Sequence, residues 1–378
     1  MSLRCLIVLV CASVALRSAE APGQLRVIDG LTLVLEQGAP AELAAQEVRL
    51  LGPRAVAMLA VSSLDPSVAA MRKPAALAAV RRTLRPTWLS EATALAAGLK
   101  VDADLLLAAN SASEVQCTAL AHRPPGGPAA GPLAVARNMD FAPADLLGPQ
   151  TVVKIIRPKD KHAFVSVGWP GMIAVVSGMN DAGVVACCLL RFNSHGVAGG
   201  MPLFFALRAI LEDATDVEQA VAIYRANPTS AGHYIFLADA KGAAVVWRAG
   251  ATVHRSDLKD RWLACTNGPL RDASTWPEDQ RGRFLHNLAT GSNAPATPDL
   301  AWLRQATAAT YLPRLNAQAM VFIPAERRLH LALGTSTTPA ARSPWHDLAL
   351  AAVLAGKPLT EATVKPLPPD KAVRHWAE

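Results

Sequence analysis

A cysteine followed by a threonine, Cys117-Thr118, stands 20 residues ahead of Arg137 in the stretch Ala136-Arg137-Asn138-Met139-Asp140-Phe141. Such residues allow nucleophilic cleavage of an amide. A thiol with a pKa near 8.5 is mostly protonated at neutral pH and needs a base or a nearby cation before it attacks a carbonyl. None of the nine histidines is placed by sequence to serve. If the peptide bond before Cys117 is cut, the freed α-amine, of pKa about 7.7 to 8.0 and lower when desolvated, takes the proton within the same residue. Arg137, a permanent cation, suits a thiolate and a substrate carbonyl, and Asp140 suits a hydrogen bond from the α-ammonium. Asn267, in Cys265-Thr266-Asn267-Gly268, carries an amide NH₂ fit for a developing oxyanion, with Asn180 as a second donor. Plainer readings stay open: an inert buried thiol at Cys117, a surface ion pair between Arg137 and Asp140, and turn residues at Asn180 and Asn267.

Taken in order, these blocks resemble the cholylglycine hydrolase and acyl-coenzyme A:6-aminopenicillanic acid acyltransferase group of N-terminal nucleophile hydrolases, which includes acid ceramidase and N-acylethanolamine acid amidase. Cys117-Thr118 is similar to the group's start and Arg137-Asn138-Met139-Asp140 to its strand end. Ser177-Gly178-Met179-Asn180-Asp181-Ala182-Gly183 resembles its Gly-Met-Asn-acid-x-Gly turn, the run from Met201 through Arg208 to Ala214 its following helix, and Thr266-Asn267 its Thr-Asn strand end. Gln37 to Pro40, Ala109-Asn110 and Glu114 fit the propeptide of the penicillin-acyltransferase branch. The interval between Cys117 and Arg137 is a few residues longer than is usual in the group. A longer hairpin turn over His122 to Ala130 absorbs that excess at little entropic cost.

The resemblance implies an α+β sandwich of two antiparallel sheets between helix layers, preceded by a helical segment and cut before Cys117. It implies hydrolysis of a linear N-acyl amide through a thioester, or acyl transfer to a second amine, with the cleaved pieces held together as a heterodimer. It also implies a downstream site arginine, Arg281 or Arg283, in Asp279-Gln280-Arg281-Gly282-Arg283. Apolar residues crowd the motifs (Met139, Phe141, Trp169, Met172, Phe204, Phe205), which favours an apolar acyl pocket with Phe141 against the substrate. The rival reading of another class is an exported binding protein that keeps this fold uncut.

The elements that must position these residues divide at about residue 116. From Ala39 to Ala109 apolar residues recur at helical spacing (Ala39 to Leu51, Pro74 to Leu84, Leu89 to Leu99, Val101 to Ala109), with Gly52, Pro86 and Gly98 as stops. Two short strands flank Asp29-Gly30, a hairpin signal. From Cys117 onward the pattern is of strands: 117–121, 133–137, 151–157, 162–167, 173–177 and 184–189. Helices follow at 202–212 and 217–227, the second opened by Thr215 with Glu218 as a capping box. Strands resume at 233–237, 243–247, 251–254, 261–266, 319–323 and 328–333.

Composition sets the outer limits. With 51% hydrophobic and 18% charged residues the chain is neither disordered nor fibrous. Its charge of +7 is spread without a basic stripe, which argues against a nucleic-acid partner. Arg4, the apolar run Cys5 to Leu16 and Ala19-Glu20-Ala21 read as a cleaved export signal, so residues 1–21 form a leader, 22–116 the helical segment and 117–378 the catalytic part. Twelve apolar residues fall short of the about 20 that span a bilayer, and the expected location is periplasmic or secreted. There is no metalloprotease, phosphate-loop or dinucleotide motif, and the scattered histidines give no metal set, so neither a cofactor nor a metal is expected. Adjacent Cys187 and Cys188 point to opposite faces of a strand and are poor partners for each other, and single buried thiols are expected.

Overall fold

The computed structural model describes residues 23–112, 116–191, 194–268, 280–290 and 298–378. The expected leader and Glu114 lie outside them. Strands β1 (Gln24–Ile28) and β2 (Leu31–Gly38) form the expected hairpin, whose turn holds Asp29 and Gly30 at φ 49° and 82°, the left-handed conformation that Asp-Gly tolerates. Helices α1 (Pro40–Ser62), α2 (Pro66–Met71), α3 (Pro74–Thr83), α4 (Pro86–Leu99) and α5 (Ala103–Ala109) follow. Proline opens each of the first four, where its missing N–H costs nothing. Gly52 was expected to end the first helix, yet α1 runs through Gly52-Pro53. Its apolar face is buried along both halves (Leu43, Leu51, Ala55, Leu59) and Gly52 itself packs beside Leu99 of α4, so tertiary burial outweighs the local breaker.

The second part begins with β3 (Gln116–His122), β4 (Ala134–Asp140), α6 (Ala144–Gln150), β5 (Val152–Pro158), β6 (Phe164–Gly168), β7 (Ser177–Asn180) and β8 (Val185–Leu189). Then come α7 (Leu203–Asp213), α8 (Val217–Ala226), β9 (Tyr234–Ala238), β10 (Ala243–Ala249), β11 (Thr252–Asp257), β12 (Trp262–Cys265), α9 (Gln280–Thr290) and α10 (Leu300–Thr310). The chain ends with β13 (Asn316–Ile323), β14 (Arg328–Leu333), β15 (His346–Ala349), α11 (Ala351–Leu354) and β16 (Val364–Pro366). The strand expected over 173–177 starts only at Ser177, because the N–H groups of Ile173 and Ala174 are taken by the Asn110 side chain instead of a ladder. The expected cap of α8 shifts by one residue: Asp216 accepts from Gln219 N. Helices α6, α9 and α10 and strands β15 and β16 carried no sequence expectation.

Two sheets result, ordered β1-β2-β5-β6-β7-β8-β9-β10-β11 and β12-β3-β4-β13-β14-β15-β16. Their facing sides share one apolar core that includes Val165, Val185, Phe236, Met139, Met320 and Phe322, while α9 and α10 cover the outer side of the second sheet through Leu285, Leu303 and Ala306. Helices α1, α7 and α8 pack on the first sheet, giving the expected helix, sheet, sheet, helix layering.

One correction concerns the N-terminal segment. Its expected hairpin joins the first sheet, and β2 pairs with β5 in parallel, so that sheet is not wholly antiparallel. Buried charges fasten the same seam: Lys154 of β5 lies 2.8 Å from Glu47 of α1 and 3.8 Å from Glu36 of β2, and Arg208 of α7 lies 2.6 Å from Glu91 of α4 and 2.8 Å from Glu212. Removing one member of such a set strands the others in an apolar interior, which is strongly destabilising.

Candidate active site

Strand alternation decides what Cys117 faces. In the antiparallel pair β3 and β4, Cys117 lies opposite Met139, Ala119 opposite Arg137, and Gln116 opposite Asp140. Paired residues share a face, so Cys117 and Arg137 point between the sheets, whereas Asn138 and Asp140 point toward α10. The packing agrees: Cys117, Ala119 and Met139 belong to the inner core, Leu120 and Ala136 to the outer one. Arg137 and Asp140 are therefore no surface ion pair. Both are buried, and on a strand a spacing of three puts them on opposite sides.

What joins the two sides is Arg281, in the first turn of α9. Its Nη1 donates to Asp140 Oδ2 at 2.7 Å, and its Nη2 donates to the Cys117 carbonyl at 3.0 Å and to Asn267 Oδ1 at 2.6 Å. Asn267, just past β12, accepts with that same oxygen from Cys117 N at 3.2 Å and donates from Nδ2 to Leu190 O at 2.7 Å. Arg137 donates from Nη1 to Cys188 O of β8 at 2.7 Å, bridging the sheets, while its Nε and Nη2 have no hydrogen-bond partner among the described residues. A buried guanidinium with open donors beside a thiol is the chemistry of anion stabilisation.

Cys117, Arg137, Asp140, Asn267 and Arg281 thus converge. Between the two arginines left open by the sequence, Arg281 is the one joined to Asp140; the side chain of Arg283 lies outside the description. Asn180 goes elsewhere. Its Nδ2 donates to Leu211 O and Ala214 O at the end of α7, and its Oδ1 accepts from Val184 N, so the amide clasps a turn as in the plainer reading. Of the two hydrogens of the Asn267 NH₂, one goes to Leu190 O, which leaves a second donor on that nitrogen.

Burial dominates the electrostatics of the site. It pushes the Cys117 thiol up to about 11; Asp140 adds to this, while the charges of Arg137 and Arg281 oppose it. Burial likewise raises the Asp140 carboxyl against the pull of Arg281, of the Asn316 side chain and of Leu312 N. Cys187 and Cys188 are buried thiols, as expected, and Cys117 and Cys265 are buried thiols as well. Among the described residues no group of His, Cys, Asp and Glu is arranged to hold a metal ion, and no helix is long and apolar enough to cross a membrane.

Next to this cluster, Phe141 follows Asp140 directly and its ring lies 5.9 Å from that of Trp169. Both line a largely apolar cavity of about 360 Å³, together with Met172 and Phe204. Met139 and Phe205, the other two residues of the expected apolar set, are core instead. The opposite wall is the N-terminal segment, through Met58, Leu59, Val61, Leu64 and Val68 of α1 and α2 and the turn between them. Sequence reading missed that wall, and it missed Asn316 and Leu312, the partners of Asp140. None of them lies in a recognisable motif.

Residues 129–283 match the family model of acyl-coenzyme A:6-aminopenicillanic acid acyl-transferase, which bears out the resemblance drawn from the motifs. No curated protein sequence matches the chain. Among solved structures, an N-acylethanolamine-hydrolyzing acid amidase ortholog from Caenorhabditis elegans is 16% identical with a TM-score of 0.44, covering 55% of this chain and 93% of its own. A penicillin V acylase from Agrobacterium tumefaciens is 16% identical with a TM-score of 0.42, covering 68% and 100%. A conjugated bile acid hydrolase from Clostridium perfringens is 12% identical with a TM-score of 0.42, covering 68% and 99%.

Proposed function

We propose that this chain is the precursor of an exported cysteine amidohydrolase that cuts itself before Cys117 and then cleaves linear N-acyl amides, with acyl transfer as the same chemistry onto a second amine. The observation that carries the reading is Arg281 gripping Asp140, Asn267 and the Cys117 carbonyl at once, at a cysteine that also faces Arg137. The family match over residues 129–283 supports the same class.

In processing, Cys117 Sγ attacks the Gln116 carbonyl carbon, the C–N bond breaks, and the thiol proton ends on the nitrogen that becomes the α-amine. Water then hydrolyses the thioester, leaving a carboxylate at Gln116 and regenerating the thiol. In turnover the α-amine takes the thiol proton, Sγ attacks the substrate carbonyl, the proton passes to the leaving amine, and water releases the acyl group as a carboxylate. Before processing, Asn267 Oδ1 already accepts from Cys117 N, the atom that becomes the amine. Arg137, with two open donors, suits the oxyanion beside the second hydrogen of the Asn267 NH₂. The cavity beside Phe141 suits an apolar acyl chain, and the parallel β2–β5 pairing suits a heterodimer whose two pieces stay together.

Intact mass of the purified protein tests this directly. Wild type is expected as two chains with a new N-terminus at Cys117, Cys117→Ala as one, and only the wild type should hydrolyse a panel of N-acyl amides. An uncut, inactive wild type at every pH would instead favour the binding-protein reading.

A further inference from the structure

Asn316 lies opposite Asp140 only because β13 carries a bulge. Moving along the ladder, Ala319 pairs with Asn138 and Gln318 with Met139, so a regular strand would set Ala317 against Asp140; instead Asn316 takes that place and Ala317 is the extra residue. The bulge therefore aims an amide at the carboxylate. Asn316 Nδ2 donates to Asp140 Oδ1 at 2.9 Å and approaches Asn138 Oδ1 at 3.3 Å, while Asn316 Oδ1 accepts from Ala341 N at 2.7 Å. That last bond settles which way the amide points: its oxygen must face the Ala341 N–H, so its NH₂ faces Asp140.

We infer that Asn316 is a positioning residue of the active site: with Leu312 N it occupies Asp140 Oδ1 and so directs Oδ2 to hold Arg281 across Cys117 and Asn267. Leu312 N donates to the same Oδ1 at 3.2 Å, and the Asp140, Asn316 and Arg281 side chains are all buried. The catalytic consequence rests on the amidohydrolase reading above; the positioning itself does not.

The test is Asn316→Asp, which keeps the side-chain shape and the acceptor for Ala341 but turns the donor toward Asp140 into a like-charged oxygen. The Asp140 carboxyl is titrated by carbon NMR in the full chain carrying Cys117→Ala, once with Asn316 intact and once with Asn316→Asp. Its midpoint should rise by about one pH unit or more on losing the donor and gaining a negative neighbour. In the processed enzyme, kcat should fall about tenfold or more with KM within about threefold, and the acid limb of the kcat profile should move to higher pH. In an Asp140→Asn background the same change should cost little further, because its effect passes through Asp140. Should N316D not fold, N316A removes the donor without adding charge and is read the same way. An unmoved Asp140 titration overturns the inference, whether or not the wild type is active. An inactive wild type with a moved titration overturns the amidohydrolase reading and leaves the positioning standing.

Discussion

At the scale of single residues, Arg281 is the group whose replacement is most telling. A guanidinium offers several donors in a fixed plane, and here two nitrogens serve three acceptors on three separate elements. Lysine keeps the charge and loses the fork. Arg281→Lys is therefore expected to lower kcat by about 10²-fold, the range seen for losing one well-aimed donor, while keeping the buried carboxylate of Asp140 paired and the melting temperature within several degrees. Steady-state kinetics beside a thermal melt decide this, and activity within about threefold of wild type would show that the bridge is structural only. The raised thiol of Cys117 belongs to the same scale: burial pushes it up to about 11, and the charges of Arg137 and Arg281 are what oppose that rise.

At the scale of elements, the cavity next to Phe141 is built by two parts of the chain that processing would separate. Helices α1 and α2 supply one wall, and the Phe141, Trp169, Met172 side supplies the other. If the proposed acyl chain lies in this cavity, its length preference depends on the N-terminal segment staying in place. Met58→Trp adds bulk on the α1 wall. It is expected to raise KM for long-chain amides by about tenfold, since burying each methylene is worth about 0.8 kcal/mol, and to leave acetyl amides nearly unchanged. A series of chain lengths on one fluorogenic amine measures it; equal losses for short and long chains would place the acyl group elsewhere.

At the scale of the whole molecule, stability carries a pH signature. His122, at the end of β3, packs at a tilt against Trp262 of β12 with ring centres 4.3 Å apart, and burial, aided by Arg261, pushes it down to about 4 from 6.5. The unfolded chain binds a proton below pH 6.5 that the fold refuses until near 4. This contribution to stability is therefore complete above about pH 6.5 and is lost as the pH falls toward 4. His122→Phe keeps an aromatic contact and abolishes the titration, so its melting temperature should fall less steeply than that of wild type between pH 6.5 and 4. Parallel curves for the two proteins would mean that His122 is charged in the fold. Buried carboxyls such as Glu36 and Asp140, which burial raises, act in the opposite direction in both proteins and cancel in the comparison.

The motifs and the strand and helix texture were present in the sequence because they are local: the Asp29-Gly30 turn, the alternation through Cys117 and Arg137, and the helical spacing from Ala39 to Ala109 are each set by near neighbours along the chain. The site was readable as a set of residue types, Cys117, Arg137, Asp140, Asn267 and an arginine at 281 or 283. Its connections were not. Whether Asn180 faces substrate or clasps a turn, and which Asn267 atom meets Cys117, depend on hydrogen bonds between residues far apart in sequence. Asn316 shows why most plainly: it lies 176 residues from Asp140, in no motif, and reaches it only because one extra residue in β13 shifts the register. The parallel joining of β2 to β5 and the run of α1 through Gly52-Pro53 have the same origin, since burial against distant elements outweighs the local preferences that a sequence displays.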